Sequence, residues 1–192
     1  RDYRVWVVCI MGLFMCLPVV VFAEFLSVDF LKHVYGFSAS HAAFCNSMFF
    51  IGMAIGGPSV ILFSQFIDSK FIPIRFGCAV ASILLACFVT NVVPASKMPL
   101  FLLLLGFSTS VKVIVFPIMQ KLSSIGSVAT AIAFINMFVM LSGILFQPLS
   151  GYLLHVLALK DTLTASCYSL ALSYVPLLLF SVVGLSFLIS EP

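Results

Sequence analysis

Residues 5–23 read Val5-Trp6-Val7-Val8-Cys9-Ile10-Met11-Gly12-Leu13-Phe14-Met15-Cys16-Leu17-Pro18-Val19-Val20-Val21-Phe22-Ala23, without a single charge. At about 1.5 Å of rise per residue a helix of this length reaches about 28 Å, close to the roughly 30 Å of a bilayer's hydrocarbon core. The rest of the chain has the same character. Hydrophobic residues make up 63% of the 192, charged residues only 8%, and the mean hydropathy is +1.28. A soluble domain carries about 25% charged residues. A small water-soluble fold leaves much of its surface exposed and has nowhere to hide so much apolar area. A lipid bilayer removes the difficulty by acting as the solvent.

Six stretches are long and apolar enough to cross: residues 5–34, 42–67, 74–93, 99–119, 128–157 and 166–189. The chain is therefore expected to be an all-α, polytopic membrane protein, a single bundle of six transmembrane helices. Turn chemistry falls between the stretches. Tyr35-Gly36-Phe37-Ser38 separates the first two, with Ser38 or Ser40 as N-cap. Asp68-Ser69-Lys70 with Pro73 follows the second, and Pro94 to Pro99 follows the third. Residues 121–127 and 159–162 complete the set. All the links are short, so sequential helices run antiparallel.

Several function classes fall away. The nine basic residues are scattered, which is no footprint for nucleic acid. The cysteines Cys9, Cys16, Cys45, Cys78, Cys87 and Cys167 form no C-x-x-C pair and read as small apolar packing residues. No metal site or cofactor is expected. The opening Arg1-Asp2-Tyr3-Arg4 has no separable leader ahead of the first apolar run. It reads as a cut through a longer protein or a shortened reading frame. Lys and Arg divide five against three: Arg1, Arg4, Lys70, Arg75 and Lys121 on one side, Lys32, Lys97 and Lys160 on the other. That bias places both ends in the cytoplasm.

Charge inside a span is costly and marks function. Glu24 and Asp29 in the first stretch and Lys112 in the fourth meet that description. Glu24 should lie about 28 Å from the inner face and Lys112 about 10–12 Å from it, a gap of about 16 Å that argues against a direct ion pair. Lys112 reads either as a cavity-lining cation or as a lysine snorkelling to the inner interface. Asn136 should share its depth, at about 12 Å. Asp29 and Lys32 are expected to form a local surface pair. Asn46, Gln120 and Gln147 are amides in or beside spans, with two readings: cavity contact, or a hydrogen-bond link between helices. His33, His41 and His155 lie at outer ends, where solvation is the simpler reading and pH sensing the alternative.

Gly52-Met53-Ala54-Ile55-Gly56 is a GxxxG, the spacing that lets two helix backbones approach in lipid. Gly57-Pro58 follows and should loosen the helix. Pro18, Pro117, Pro148 and Pro176 each remove a backbone hydrogen bond and permit a kink.

These residues resemble a known family. Phe14-Met15-Cys16-Leu17-Pro18, Phe22-Ala23-Glu24-Phe25 and Tyr35-Gly36-Phe37-Ser38 look like the seventh helix and following loop of bacterial major facilitator carriers. Phe50 to Pro58 looks like the eighth. Phe134-Ile135-Asn136-Met137, Gly143 and Phe146-Gln147-Pro148-Leu149-Ser150-Gly151 are similar to the eleventh. The family's loop signature G-x-x-x-D-[RK]-x-G-[RK]-[RK] is degraded. One frame puts Ile61, Gln65 and Phe66 at its Gly, Asp and first basic positions; a slipped frame uses Ser64, Asp68, Lys70 and Arg75.

The resemblance implies half of a twelve-helix alternating-access carrier, its six helices forming a 3+3 inverted repeat. It implies a small polar organic solute, an amino acid or short peptide, and an N-terminal six-helix half that is missing here. Protons are the candidate coupling ion, and the bilayer is the setting, a bacterial inner membrane. Glu24, Asn46, Lys112, Asn136 and Gln147 become cavity candidates. Gly57, Gln65, Asp68, Lys70 and Arg75 become gate or loop candidates, and Gly52, Gly56, Pro58, Pro117 and Pro148 packing or hinge positions. The alternative is a non-transporting remnant of such a carrier. An intramembrane enzyme is more distant: Gly106-Phe107-Ser108-Thr109 lacks the closing Gly of a G-x-S-G context, and H-E-x-x-H is absent.

Overall fold

A computed structural model describes residues 2–67, 69–158 and 164–189. Among these the regular structure is helical throughout. Six helices are long and apolar enough to span a membrane: α1 Tyr3–Tyr35, α2 Ala39–Phe63, α3 Phe71–Val89, α4 Ala95–Leu122, α5 Val128–Ala158 and α6 Ala165–Leu185. The chain is a multi-pass integral membrane protein.

The ends follow local chemistry. The Asp2 carboxylate accepts the Arg4 backbone N–H at 3.1 Å and opens α1. Gly36 closes it in the left-handed region, φ 68°, where a missing Cβ removes the steric penalty. Ser38 then caps α2 by accepting the His41 N–H at 3.3 Å. α2 stops at Phe63, earlier than hydropathy suggests. The N–H groups of Gln65 and Phe66 turn back to the carbonyls of Leu62 and Phe63, both at 3.1 Å. Hydropathy does not register that turn, because Phe66 and Ile67 are as apolar as the helix before them.

α1 forms the centre. In its most apolar window 72% of residues are buried, against 17% in α2 and in α5. Phe22 and Phe30 of α1 meet Phe88 of α3 at ring separations of 4.7 and 4.5 Å, and Tyr168 of α6 stands edge-on to Phe30 at 5.8 Å. α2 lies on α4, α5 on α1, and α3 on α6. The α2–α4 seam is the tightest. A Cβ on Gly52 would strike the Leu103 carbonyl oxygen and come within 2.9 Å of the Phe107 nitrogen. A Cβ on Gly56 would come within 2.8 Å of the Phe107 oxygen. Gly106 reciprocates from α4, where a Cβ would strike the Phe49 carbonyl oxygen of α2. Gly57 and Gly184 have nothing within 4 Å. The α2 and α5 backbones remain helical through Pro58 and Pro148.

Candidate functional site: a cavity walled by α1, α4 and α5

Three of the six spans leave α-helical geometry in mid-course, α6 at Ser173 alone and α1 and α4 over longer stretches. In α1 the α pattern holds to Leu17 and resumes at Ser27, and Pro18–Leu26 between them is wound as a π-helix. Its wider turn is visible in the Ser27 N–H, which bonds the Phe22 carbonyl five residues back. Pro18 stands at the start of the segment, where its ring crowds the preceding turn and supplies no donor. In α4 a 3₁₀ stretch, Ser110–Ile114, separates Met98–Thr109 from Val115–Leu122. Pro117 follows it and withholds the N–H that an α-helix would send to Val113. Irregular turns of both kinds within helices concentrate at functional sites and hinges. Glu24 lies in the first of these segments and Lys112 in the second.

Both side chains line one cavity of about 840 Å³. α1 contributes Cys16, Val20, Glu24 and Phe25, and α5 contributes Gly143, Gln147 and Tyr152 among others. The Lys112 ammonium donates toward the Cys16 sulfur at 3.9 Å. The amine thus reaches across to the middle of α1. Glu24 lies eight residues further along α1, a rise of about 12 Å on α geometry and less over the π-wound turns. The ion pairs among the described residues are Arg4–Asp2 at 3.9 Å and Lys32–Asp29 at 3.5 Å. The second is the expected local pair.

The amides separate. Gln147 lines the cavity and donates its Nε2 to the Val20 carbonyl at 2.9 Å. Asn46 is not among the residues that line this cavity. Its Nδ2 donates to the Ala23 carbonyl at 3.0 Å, and its Oδ1 accepts the Ser27 hydroxyl at 2.6 Å. Each amide therefore links two helices, and both reach the π-helical segment. Asn136 is exposed. It sits one helical turn before the cavity residue Met140, on the same face of α5.

The loop candidates serve other ends. Lys70 donates to the Ser64 carbonyl at 2.8 Å and caps the end of α2. Arg75 reaches across to α6: Nε donates to the Ser186 hydroxyl at 2.8 Å, Nη2 to the Ser186 carbonyl at 3.2 Å, and the guanidinium lies 3.8 Å from the centre of the Phe187 ring. It ties two helix ends together. Gln65 is exposed, Gly57 lies within α2, and Asp68 falls outside the described residues. Arg75→Met should cost about 1.5–3 kcal/mol, the usual worth of hydrogen bonds to a charged group. The check is a thermal melt in detergent, and an unchanged midpoint would reduce the clasp to a surface contact.

Sequence reading missed three features. Cys16 reads as a packing residue and proves to line the cavity. Gly106 carries no spacing signal of its own. The π-helical segment is announced only by Pro18.

No family model, curated protein or solved structure matches this chain. The function therefore has to be argued from the cavity itself.

Proposed function

We propose that this chain is a six-helix half of an alternating-access carrier of the major facilitator type, moving a small zwitterionic solute such as an amino acid or short peptide. The observation that carries the proposal is the convergence of two in-span charges of opposite sign on one cavity, both on irregular helical turns. A charge in a span must repay its desolvation, and facing a polar ligand is the usual way to do so. Lys112 offers a partner for a carboxylate and Glu24 one for an ammonium group or a proton. The separation of about 12 Å along α1 shortens because the Glu24 side chain leans toward the helix N-terminus. An extended peptide covers at most about 3.3–3.6 Å per residue, so a di- or tripeptide matches the gap better than a single amino acid.

In this reading the helices form a 3+3 inverted repeat, both ends of the segment face the cytoplasm of a bacterial inner membrane, and a second six-helix half closes the cavity. Protons are the coupling ion that a lone cavity carboxylate suits. The test is uptake into proteoliposomes holding the chain together with a six-helix counterpart. Di-alanine should accumulate about tenfold faster than its N-acetylated or C-amidated forms, each of which lacks one charged contact worth at least 1.4 kcal/mol. No uptake, or equal uptake of all three, would overturn the proposal.

A further inference from the structure

The passage from π back to α geometry in α1 leaves one carbonyl without its partner. The Ser27 N–H bonds Phe22. In the α-helix that begins at Ser27 the next N–H, of Val28, falls to residue 24 by the i→i−4 rule. By this count the Ala23 carbonyl, between these two, is left to side-chain donors, of which the Ser27 hydroxyl is one, at 3.3 Å. An unpaired buried carbonyl in a membrane span costs several kcal/mol. Ala23 is 2% exposed, so water does not reach it. Asn46 of α2 meets this carbonyl at 3.0 Å. The Ser27 hydroxyl has one hydrogen and two acceptors in reach, the Ala23 carbonyl at 3.3 Å and Asn46 Oδ1 at 2.6 Å; given to the nearer one, it fixes which end of the amide faces Ala23.

The winding decides which residues reach the cavity. Within the segment the lining residues are Val19 and Val20, then Glu24 and Phe25, a step of five that fits the π turn. An α-helix repeats every 3.6 residues. With α winding throughout, Ala23 and Ser27 would follow Val19 and Val20 onto that wall, and Phe25 would turn away. Removing the extra residue rotates the two halves of α1 by about 100° relative to each other.

We infer that Asn46 is a positioning residue: by helping to satisfy the Ala23 carbonyl it holds the π winding that sets Phe25, and not Ala23, beside Glu24 on the cavity wall. Glu24's part in solute or proton binding rests on the carrier proposal; the geometry of the wall does not. Gln147 supports the same segment from α5 through Val20.

The experiment is a thiol-accessibility scan in membranes. Ala23→Cys, Glu24→Cys and Phe25→Cys are made singly in a background free of the native cysteines and carrying Ser27→Ala, which removes the other side-chain donor to Ala23, and are treated with a hydrophilic methanethiosulfonate. With Asn46 present, positions 24 and 25 react and 23 does not. With Asn46→Leu, reactivity passes from 25 to 23, a drop of about tenfold at 25 as that thiol becomes buried. Asn46→Gln retains an amide and should restore the native pattern. If Asn46→Leu fails to insert, deletion of Val21 gives the second measurement. That deletion removes the extra residue and the skipped carbonyl together. It should therefore rescue the insertion of Asn46→Leu and display the 23-reactive pattern. An unchanged pattern in Asn46→Leu, equal reaction at all three positions, or no rescue by the deletion would overturn the inference. If Glu24→Gln leaves uptake intact while the labelling moves as described, the carrier role of Glu24 fails and the positioning role stands.

Discussion

Gly106→Leu is expected to destroy the folded bundle. The space a side chain would need at Gly106 is occupied by the Phe49 carbonyl of α2, which belongs to a helix backbone and cannot swing aside. Gly52 and Gly56 face α4 in the same way. Separating the helices to admit a side chain would undo the whole seam, since association in lipid depends on close packing more than on the hydrophobic effect. Even Gly106→Ala should cost about 3 kcal/mol, the upper end of ordinary overpacking. Gly184→Ala is the control: a Cβ there meets nothing within 4 Å, and the change should gain up to about 1 kcal/mol from helix propensity. Size-exclusion profiles and thermal melts in detergent report both. A Gly106→Ala protein as stable as the Gly184→Ala protein would show that the seam is looser than described.

On the proposed carrier function, Lys112→Ala should raise the KM for a zwitterionic solute by about ten- to a hundredfold, the equivalent of 1.5–3 kcal/mol for a hydrogen bond to a charged group. Insertion and the melting profile should remain near native. The ammonium's contact with protein is a long one to sulfur, at 3.9 Å, and removing the amine leaves no charged partner stranded among the described residues. Lys112→Arg keeps the charge and should retain part of the activity. The C-amidated solute, which has no carboxylate, should be indifferent to the substitution. Unchanged kinetics for the zwitterion would remove Lys112 from the binding site.

The six spans were legible because hydropathy is a local property: each apolar run lies within four residues of a helix in the structure. The α2 contribution to the tight seam was legible through its four-residue glycine spacing. Its other wall was not, because Gly106 stands alone among leucines and only the facing backbone gives it meaning. Glu24 and Lys112 stood out as charges in lipid. Their shared cavity was hidden because the depth estimate counts from backbone rise and ignores the reach of a lysine side chain. Asn46 and Gln147 were open between cavity contact and helix linkage. Gln147 does both and Asn46 only the second. What decides this is the irregular winding of α1, and the demands of a skipped carbonyl appear only once the helix is built.

α1 has 33 residues and α3 has 19, which at 1.5 Å each is about 50 Å against about 28 Å. A bilayer core of about 30 Å fits the short helix upright and cannot match the long one without tilt, protrusion or local thickening. The long helix also bears one wall of the cavity, with Glu24 on it. A thicker or thinner membrane would therefore press unequally on the two, changing the inclination of α1 against a fixed α3. Lipid chain length becomes a variable acting on the Glu24 wall, and thiol labelling there should respond to it before the bundle itself does.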